Sequence, residues 1–231
     1  MVSERSRTVG ILGGMGPEAT LDFMHRLIAL TPAVTDADHI HMLVDNNPHV
    51  PSRQAAILDD GIDPGPTLVK MAKQLEAAGA DVLVMPCNTA HAWQDDIVAA
   101  TAIPFVSIID ETVARCVEFE RVGLLATRAC LRSELYQAKF AAAADKTLLL
   151  PTDEELAEFT RLIAIIKTGE KDAAVGVAMQ ALAERLCERG AQAVIAGCTE
   201  IPLVLDVGAL SVPLLSSTDI LAEATVAIAR Q

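Results

Sequence analysis

Aromatic residues are scarce in this chain of 231 residues: one Trp, one Tyr and five Phe make up 3% of it, against 52% apolar residues in all. Its interior must be filled by Ala, Val, Leu and Ile, as where parallel strands are covered on both faces by helices. Basic residues are few as well, 18 Lys and Arg against 31 Asp and Glu, for a net charge of −13. Such a surface repels phosphate backbones and anionic lipid, which excludes nucleic acid and membrane surfaces as partners, and an anionic ligand would need cations placed locally. No run of about 18 apolar residues occurs, so no membrane helix is expected. Met1 to Arg7 lack the charged head, apolar core and small-residue cleavage site of a secretion signal. The five cysteines, Cys87, Cys116, Cys130, Cys187 and Cys198, include no Cys-x-x-Cys pair and are odd in number, which fits free thiols in a reducing cytoplasm. The histidines show no zinc spacing. His39 and His41 would share a face of one strand, but two ligands make no zinc site.

What is present is an alternation of short apolar runs with helical patterns. Strands are expected at Thr8–Gly13, His39–Asp45, Asp81–Met85, Phe105–Ser107, Val122–Ala126, Thr147–Leu150, Ala193–Ala196 and Val212–Leu215. Helices are expected between them, among others at Pro17–Leu30, Pro66–Ala78, Asn88–Ala99, Asp110–Phe119, Ser133–Ala144, Glu154–Lys167 and Asp172–Glu188. This is the rhythm of an α/β, doubly wound parallel sheet. The length allows one large domain or two small ones.

An internal repeat favours two. Leu75–Thr89 aligns without a gap on Leu186–Glu200, placing Cys87 on Cys198, 111 positions later. Thr8–Gly14 matches Arg121–Thr127 at an offset of 113, and Ile103–Asp110 matches Val212–Asp219 at 109. Each half then has a helix, a Gly, an apolar strand and a cysteine at that strand's carboxyl end, where open α/β sheets bind ligands.

A thiol after a strand and before a helix start sits near backbone N–H groups, a setting that lowers its pKa. An isolated cysteine there is more simply a packed residue, but two at matching repeat positions, each next to Thr, are not. Cys116, Cys130 and Cys187 fall in helical patterns and read as packing residues. Two thiols across a cleft suit stereoinversion, in which one thiolate removes a proton from one face of a carbon and the other thiol delivers a proton to the opposite face, giving the mirror image. A thiol is far too weak a base for an amino acid's α-C–H unaided, so donors to the substrate carboxylate must stabilise the carbanion. Asn88, Thr89 and Thr199 supply such groups, although they also suit helix capping.

The segments Gly13–Thr20, Asn47–Arg53, Pro86-Cys-Asn-Thr-Ala-His91, Gly123–Thr127, Ile165–Gly169 and Gly197-Cys-Thr-Glu-Ile-Pro202 resemble, in order, those of the aspartate/glutamate racemase family, in its aspartate racemase branch. The resemblance implies two similar doubly wound α/β domains related by a pseudo-twofold, with the active site between them. Residues 1–102 plus 209–231 would form the first and 103–208 the second, the last strand and helix returning to the first domain. It implies no pyridoxal phosphate, no other cofactor and no metal, and a homodimer. Carried over by position, Cys87 and Cys198 would be the acid/base pair. Asn88, Thr89 and Thr199 would hold the α-carboxylate and amino group, and Met15 and Thr127 would line the pocket. Arg53 and Lys167 would meet the side-chain carboxylate of an acidic amino acid, and a forked guanidinium suits a carboxylate. Glu200 would orient Cys198 or relay its proton. Ser52, Cys130 and Leu221 depart from residues common in the family, which bears on side-chain specificity.

Other readings remain open. Gly14-Met-Gly-Pro-Glu-Ala19 also fits a dinucleotide fingerprint, although Pro17 falls in the turn that should meet the pyrophosphate. Maleate isomerisation, hydantoin racemisation and arylmalonate decarboxylation belong to the same scaffold. A cleft that only captures a dicarboxylate, or thiols that sense oxidants, would need no catalysis.

Overall fold

A computed structural model describes residues 6–143 and 145–231; the polar start at Met1 to Arg5, and Ala144 at the expected end of one helix, lie outside the described residues. Two four-stranded parallel sheets carry the chain. In the first, the order is β2 (Met42–Asn46), β1 (Val9–Gly13), β3 (Val82–Val84), β4 (Phe105–Val106). In the second it is β6 (Thr147–Leu149), β5 (Arg121–Ala126), β7 (Ala193–Gly197), β8 (Leu214–Ser216). The two sheets share one order and one register: Val9 faces Val82 as Val122 faces Ala193, and Leu83 faces Phe105 as Val194 faces Leu214. The sequence repeat is thus a structural repeat. β1, β3 and β7 are buried throughout, as their unbroken apolar runs require of strands covered on both faces.

The helices are α1 (Pro17–Leu30), α2 (Arg53–Leu58), α3 (Gly65–Ala77), α4 (Gln94–Ala100), α5 (Ile108–Ala114), α6 (Arg128–Arg132), α7 (Leu135–Ala141), α8 (Asp153–Lys167), α9 (Ala173–Glu188) and α10 (Ser217–Ala229). Close approach of helix to strand explains one repeated glycine. A Cβ on Gly10 would stand 3.3 Å from Leu75 Cβ, and one on Gly123 3.0 Å from Leu186 Cβ, the matching leucines of α3 and α9. Both helices seat on the central strands because nothing projects there.

The expected return of the last strand to the first domain is corrected. β8 pairs with β7, in the register in which β4 pairs with β3, and β4 itself belongs to the first sheet. The helices that follow these strands are what change sides. α10 packs on α1 of the first half and α5 packs on α7 of the second. Their caps repeat too, since Ser107 Oγ accepts from Asp110 N–H and Ser216 Oγ from Asp219 N–H. One apolar core therefore runs through both halves, joining Val9, Ile11 and Phe23 to Val122, Leu124, Tyr136 and Leu221. His39 and His41 precede β2, which starts at Met42, so they do not share a strand face as expected.

Candidate active site

In a sheet of order 2-1-3-4, connections leave in opposite directions from the first and third strands, opening a crevice at their carboxyl ends. Met15 follows β1 and Cys87 follows β3; Thr127 follows β5 and Cys198 follows β7. The two crevices face one another. Met15, Arg53, Cys87, Asn88, Thr89, Thr127, Lys167, Cys198, Thr199 and Glu200 all line one cavity of about 410 Å³. Arg53 enters it from the start of α2 and Lys167 from the end of α8.

Cys87 is buried, with Sγ 3.8 Å from the Met15 carbonyl. Its backbone is fixed by His91. The imidazole Nε2 accepts from Ile108 N–H at 3.1 Å, so the ring proton sits on Nδ1 and is donated to the Cys87 carbonyl at 2.8 Å. Burial pushes the His91 pKa down to about 4 against the hydrogen bond to that carbonyl and the charge of Asp110. In the sequence His91 was only the last letter of a motif. Its spacing of four from Cys87 was the one available signal.

Cys198 is placed differently. Its Sγ donates to Glu200 Oε2 at 2.9 Å, and Thr199 Oγ1 lies 3.5 Å from the same oxygen. Lys167 Nζ stands 3.1 Å from Oε1, which receives no aligned hydrogen bond among the described residues. Burial and the Glu200 carboxylate push the Cys198 thiol well above its ordinary range, with Lys167 opposing. The expected lowering is thus corrected for Cys198. The helix after β7 is a single 3₁₀ turn, Ile201–Leu203, while a buried anion acts at contact distance. At Lys167 burial pulls the pKa down, but Glu200 and the thiols of Cys198 and Cys87 outweigh it and the pKa rises. Lys167 is therefore an ammonium already committed to Glu200.

Arg53 is the cation without such a commitment. Nη1 donates to the carbonyls of Val50 and Pro51 at 3.0 and 2.9 Å, Nη2 to that of Met15 at 3.4 Å. Among the described residues it forms no ion pair. The neutral donors tie the halves together. Thr89 Oγ1 and Thr127 Oγ1 are 2.9 Å apart, and Asn88 Nδ2 donates to Ser217 Oγ at 3.0 Å while Oδ1 accepts from Tyr136 at 2.6 Å. Among the described residues the second N–H of the Asn88 amide has no partner.

The Asp/Glu/hydantoin racemase profile matches residues 12–225. The chain belongs to this racemase family. The broad specificity amino-acid racemase RacX of Bacillus subtilis is 28% identical over 223 residues, which are 94% of this chain and 96% of that protein. The aspartate racemase of Picrophilus torridus superposes with a TM-score of 0.86 at 28% identity, covering 96% of this chain and 94% of that one. The glutamate racemase of Francisella tularensis, solved with D-glutamate, shares the fold at a TM-score of 0.70 and 19% identity, over 95% and 80% of the two chains.

The racemase fold is thus present over nearly the whole chain, and the chain is an isomerase. Its departures fall in different places. Ser52 lines the cavity and caps α2, accepting from Ala55 N–H. Cys130 is fully buried, and burial and Cys87 push its pKa up to about 12. Leu221 does not line the cavity; it belongs to the core shared by both halves. Arg128, which the sequence reading missed, lines the cavity and pairs with Asp153 at 3.0 Å. Among the described residues no three His, Cys, Asp or Glu are grouped as metal ligands, and no helix is long and apolar enough to cross a membrane.

Proposed function

We propose that this racemase interconverts the enantiomers of an acidic amino acid, aspartate or glutamate, with Cys87 and Cys198 as the acid/base pair and no cofactor. The observation that carries the reading is that two thiols from repeat-related strand ends line a single cavity. One thiolate takes the α-proton, the C–H electron pair stays on carbon as a carboxylate-stabilised carbanion, and the other thiol protonates the opposite face. Thr89, Thr127, Thr199 and Asn88 line the same cavity and would supply donors to the α-carboxylate and acceptors for the amino group. Arg53 is the unpaired cation for a side-chain carboxylate. Lys167, tied to Glu200, acts on the substrate only through that pair.

A wider substrate range is the second reading. Leu58, Ile163 and Ala164 give the cavity apolar walls, and the Bacillus relative is a broad specificity amino-acid racemase. One experiment addresses both. The purified protein is incubated in D2O with each enantiomer of a panel of amino acids, and with maleate, while α-deuterium and chirality are followed. Exchange with inversion confined to aspartate or glutamate supports the first reading; turnover of apolar or basic amino acids supports the second. Cys87→Ser and Cys198→Ser should each abolish nearly all turnover, and full activity in either variant contradicts the mechanism. Sedimentation of the same preparation tests the expected homodimer.

A further inference from the structure

The amide of Asn88 is held at both ends. Its Nδ2 donates to Ser217 Oγ at 3.0 Å, and that hydroxyl donates in turn to the Ala196 carbonyl of β7 at 2.7 Å. Its Oδ1 accepts from the Tyr136 hydroxyl at 2.6 Å. The order of donors leaves one orientation. A carbonyl can only accept, so Ser217 gives its single proton to Ala196 and accepts from the amide, while Tyr136 brings a donor to the amide oxygen. Burial raises the Tyr136 pKa well above its ordinary value, so the phenol keeps that proton. Asn88, Ser217 and Tyr136 are all buried, and of the three Asn88 alone lines the cavity.

The internal repeat shows that these three residues go together. At its offsets of 111, 109 and 113, the counterparts of Asn88, Ser217 and Tyr136 are Thr199, Ile108 and Phe23. One set has an amide and two hydroxyls; the other has a hydroxyl, an aliphatic side chain and a ring without oxygen. Tyr136 and Phe23 are both fully buried in the core shared by the halves, so at the matching place a plain ring serves the packing. The two anchoring hydroxyls occur where there is an amide to orient. We propose that Tyr136 and Ser217 are positioning residues that lock the Asn88 amide with its second N–H, and not its oxygen, turned to the α-carboxylate of the substrate. This role rests on the reading of Asn88 as a carboxylate donor. The second N–H has no partner among the described residues and is the one donor the side chain has left. An amide turned over would set an oxygen lone pair against the carboxylate just as charge grows there on loss of the α-proton. A free amide therefore stabilises the carbanion less than a locked one.

The test compares Tyr136→Phe and Ser217→Ala with the wild type, alone and combined with Asn88→Ala, on the amino acid of the D2O panel that the wild type inverts fastest. The carbanion gains more from an aimed donor than the bound substrate does, so each single variant should lower kcat about tenfold and leave KM within about twofold. Neither should lower the rate further once Asn88 is replaced by alanine, a background whose residual turnover is followed as deuterium uptake from D2O. Losses that multiply in that background would come from packing and overturn the lock, as would an unchanged kcat in either single variant or full activity in Asn88→Ala. The two-thiol reading survives each of these results, whereas absence of inversion for every amino acid overturns both. Urea midpoints show whether each variant folds; where Tyr136→Phe does not, Ser217→Ala carries the same test without touching an aromatic ring of the core.

Discussion

His91 gives the clearest consequence at the scale of one residue. Its pKa, ordinarily 6.5, is pushed down to about 4 by burial. As pH falls through 6.5 the unfolded chain takes up a proton here that the folded chain refuses until about 4, so the stability this residue contributes is whole above pH 6.5 and is lost between 6.5 and about 4. The slope approaches about 1.4 kcal/mol per pH unit, large against a net stability of about 5–15 kcal/mol. Urea unfolding between about pH 7.5 and about pH 4.5 should show the wild type losing more stability on acidification than His91→Gln, which has no imidazole to titrate. Equal losses would mean the ring is protonated in the fold. Arg53 carries a second prediction. Arg53→Ala should raise the KM for dicarboxylic substrates about tenfold or more, the loss of a charge-assisted pair worth about 1.5–3 kcal/mol, with the circular dichroism spectrum unchanged. An unchanged KM removes Arg53 from the substrate site. Cys87, Asn88, Thr89, Cys198 and Thr199 were legible because they follow strands that the repeat aligns, whereas Met15, Thr127, Arg53 and Lys167 were legible only through the family resemblance. The partners were not, since nothing in Glu200's sequence neighbourhood shows that Lys167, 33 positions earlier, will claim its other oxygen.

The elements were legible wherever apolar periodicity was strong. All eight strands occur where the apolar runs place them, and α1 spans Pro17–Leu30 as the pattern requires. Periodicity fails where a helix breaks without losing its apolar face. The pattern from Asn88 to Ala99 divides into a 3₁₀ turn, Thr89–Trp93, and α4, and the helix expected from Ser133 begins only at Leu135, after Glu134 with a φ of 53°, with α6 an unexpected separate turn before it. A short helix such as α2 has no fully buried residue and so no apolar stripe to find. The glycine turn after β1 is the element under most constraint. Gly14 has φ of 92°, and a Cβ there would come within 2.2 Å of the Asn47 carbonyl oxygen. Gly14→Ala combines an unfavourable left-handed φ with a backbone clash and should cost at least about 2 kcal/mol, read as a lowered urea midpoint at unchanged m-value. A neutral result would show that the loop at Asn47 can move aside.

At the scale of the whole molecule, repeat and resemblance together suggested two similar domains, and the strands and helices divide the chain along different lines. Sheet membership follows the repeat, because β4 and β8 each extend the sheet just built by β3 and β7. Helix packing crosses between the halves, and does so twice in the same way, with α10 on α1 and α5 on α7. A sequence repeat reports what each half makes internally and carries no signal for which half a terminal helix will cover. The crossing helices also explain how two strand-end cysteines from different sheets can be held around one substrate-sized cavity. Because the core they build is continuous, the halves should unfold together. Leu221 is fully buried on α10 within that shared core; Leu221→Ala should cost about 2–5 kcal/mol, lowering a single calorimetric transition by roughly 2–4 °C per kcal/mol for a chain of this size. Two resolved transitions, with Leu221→Ala moving only one, would show the halves to be independent folding units and would require the cavity between them to be held by its polar contacts, Thr89 to Thr127 and Asn88 to Ser217, alone.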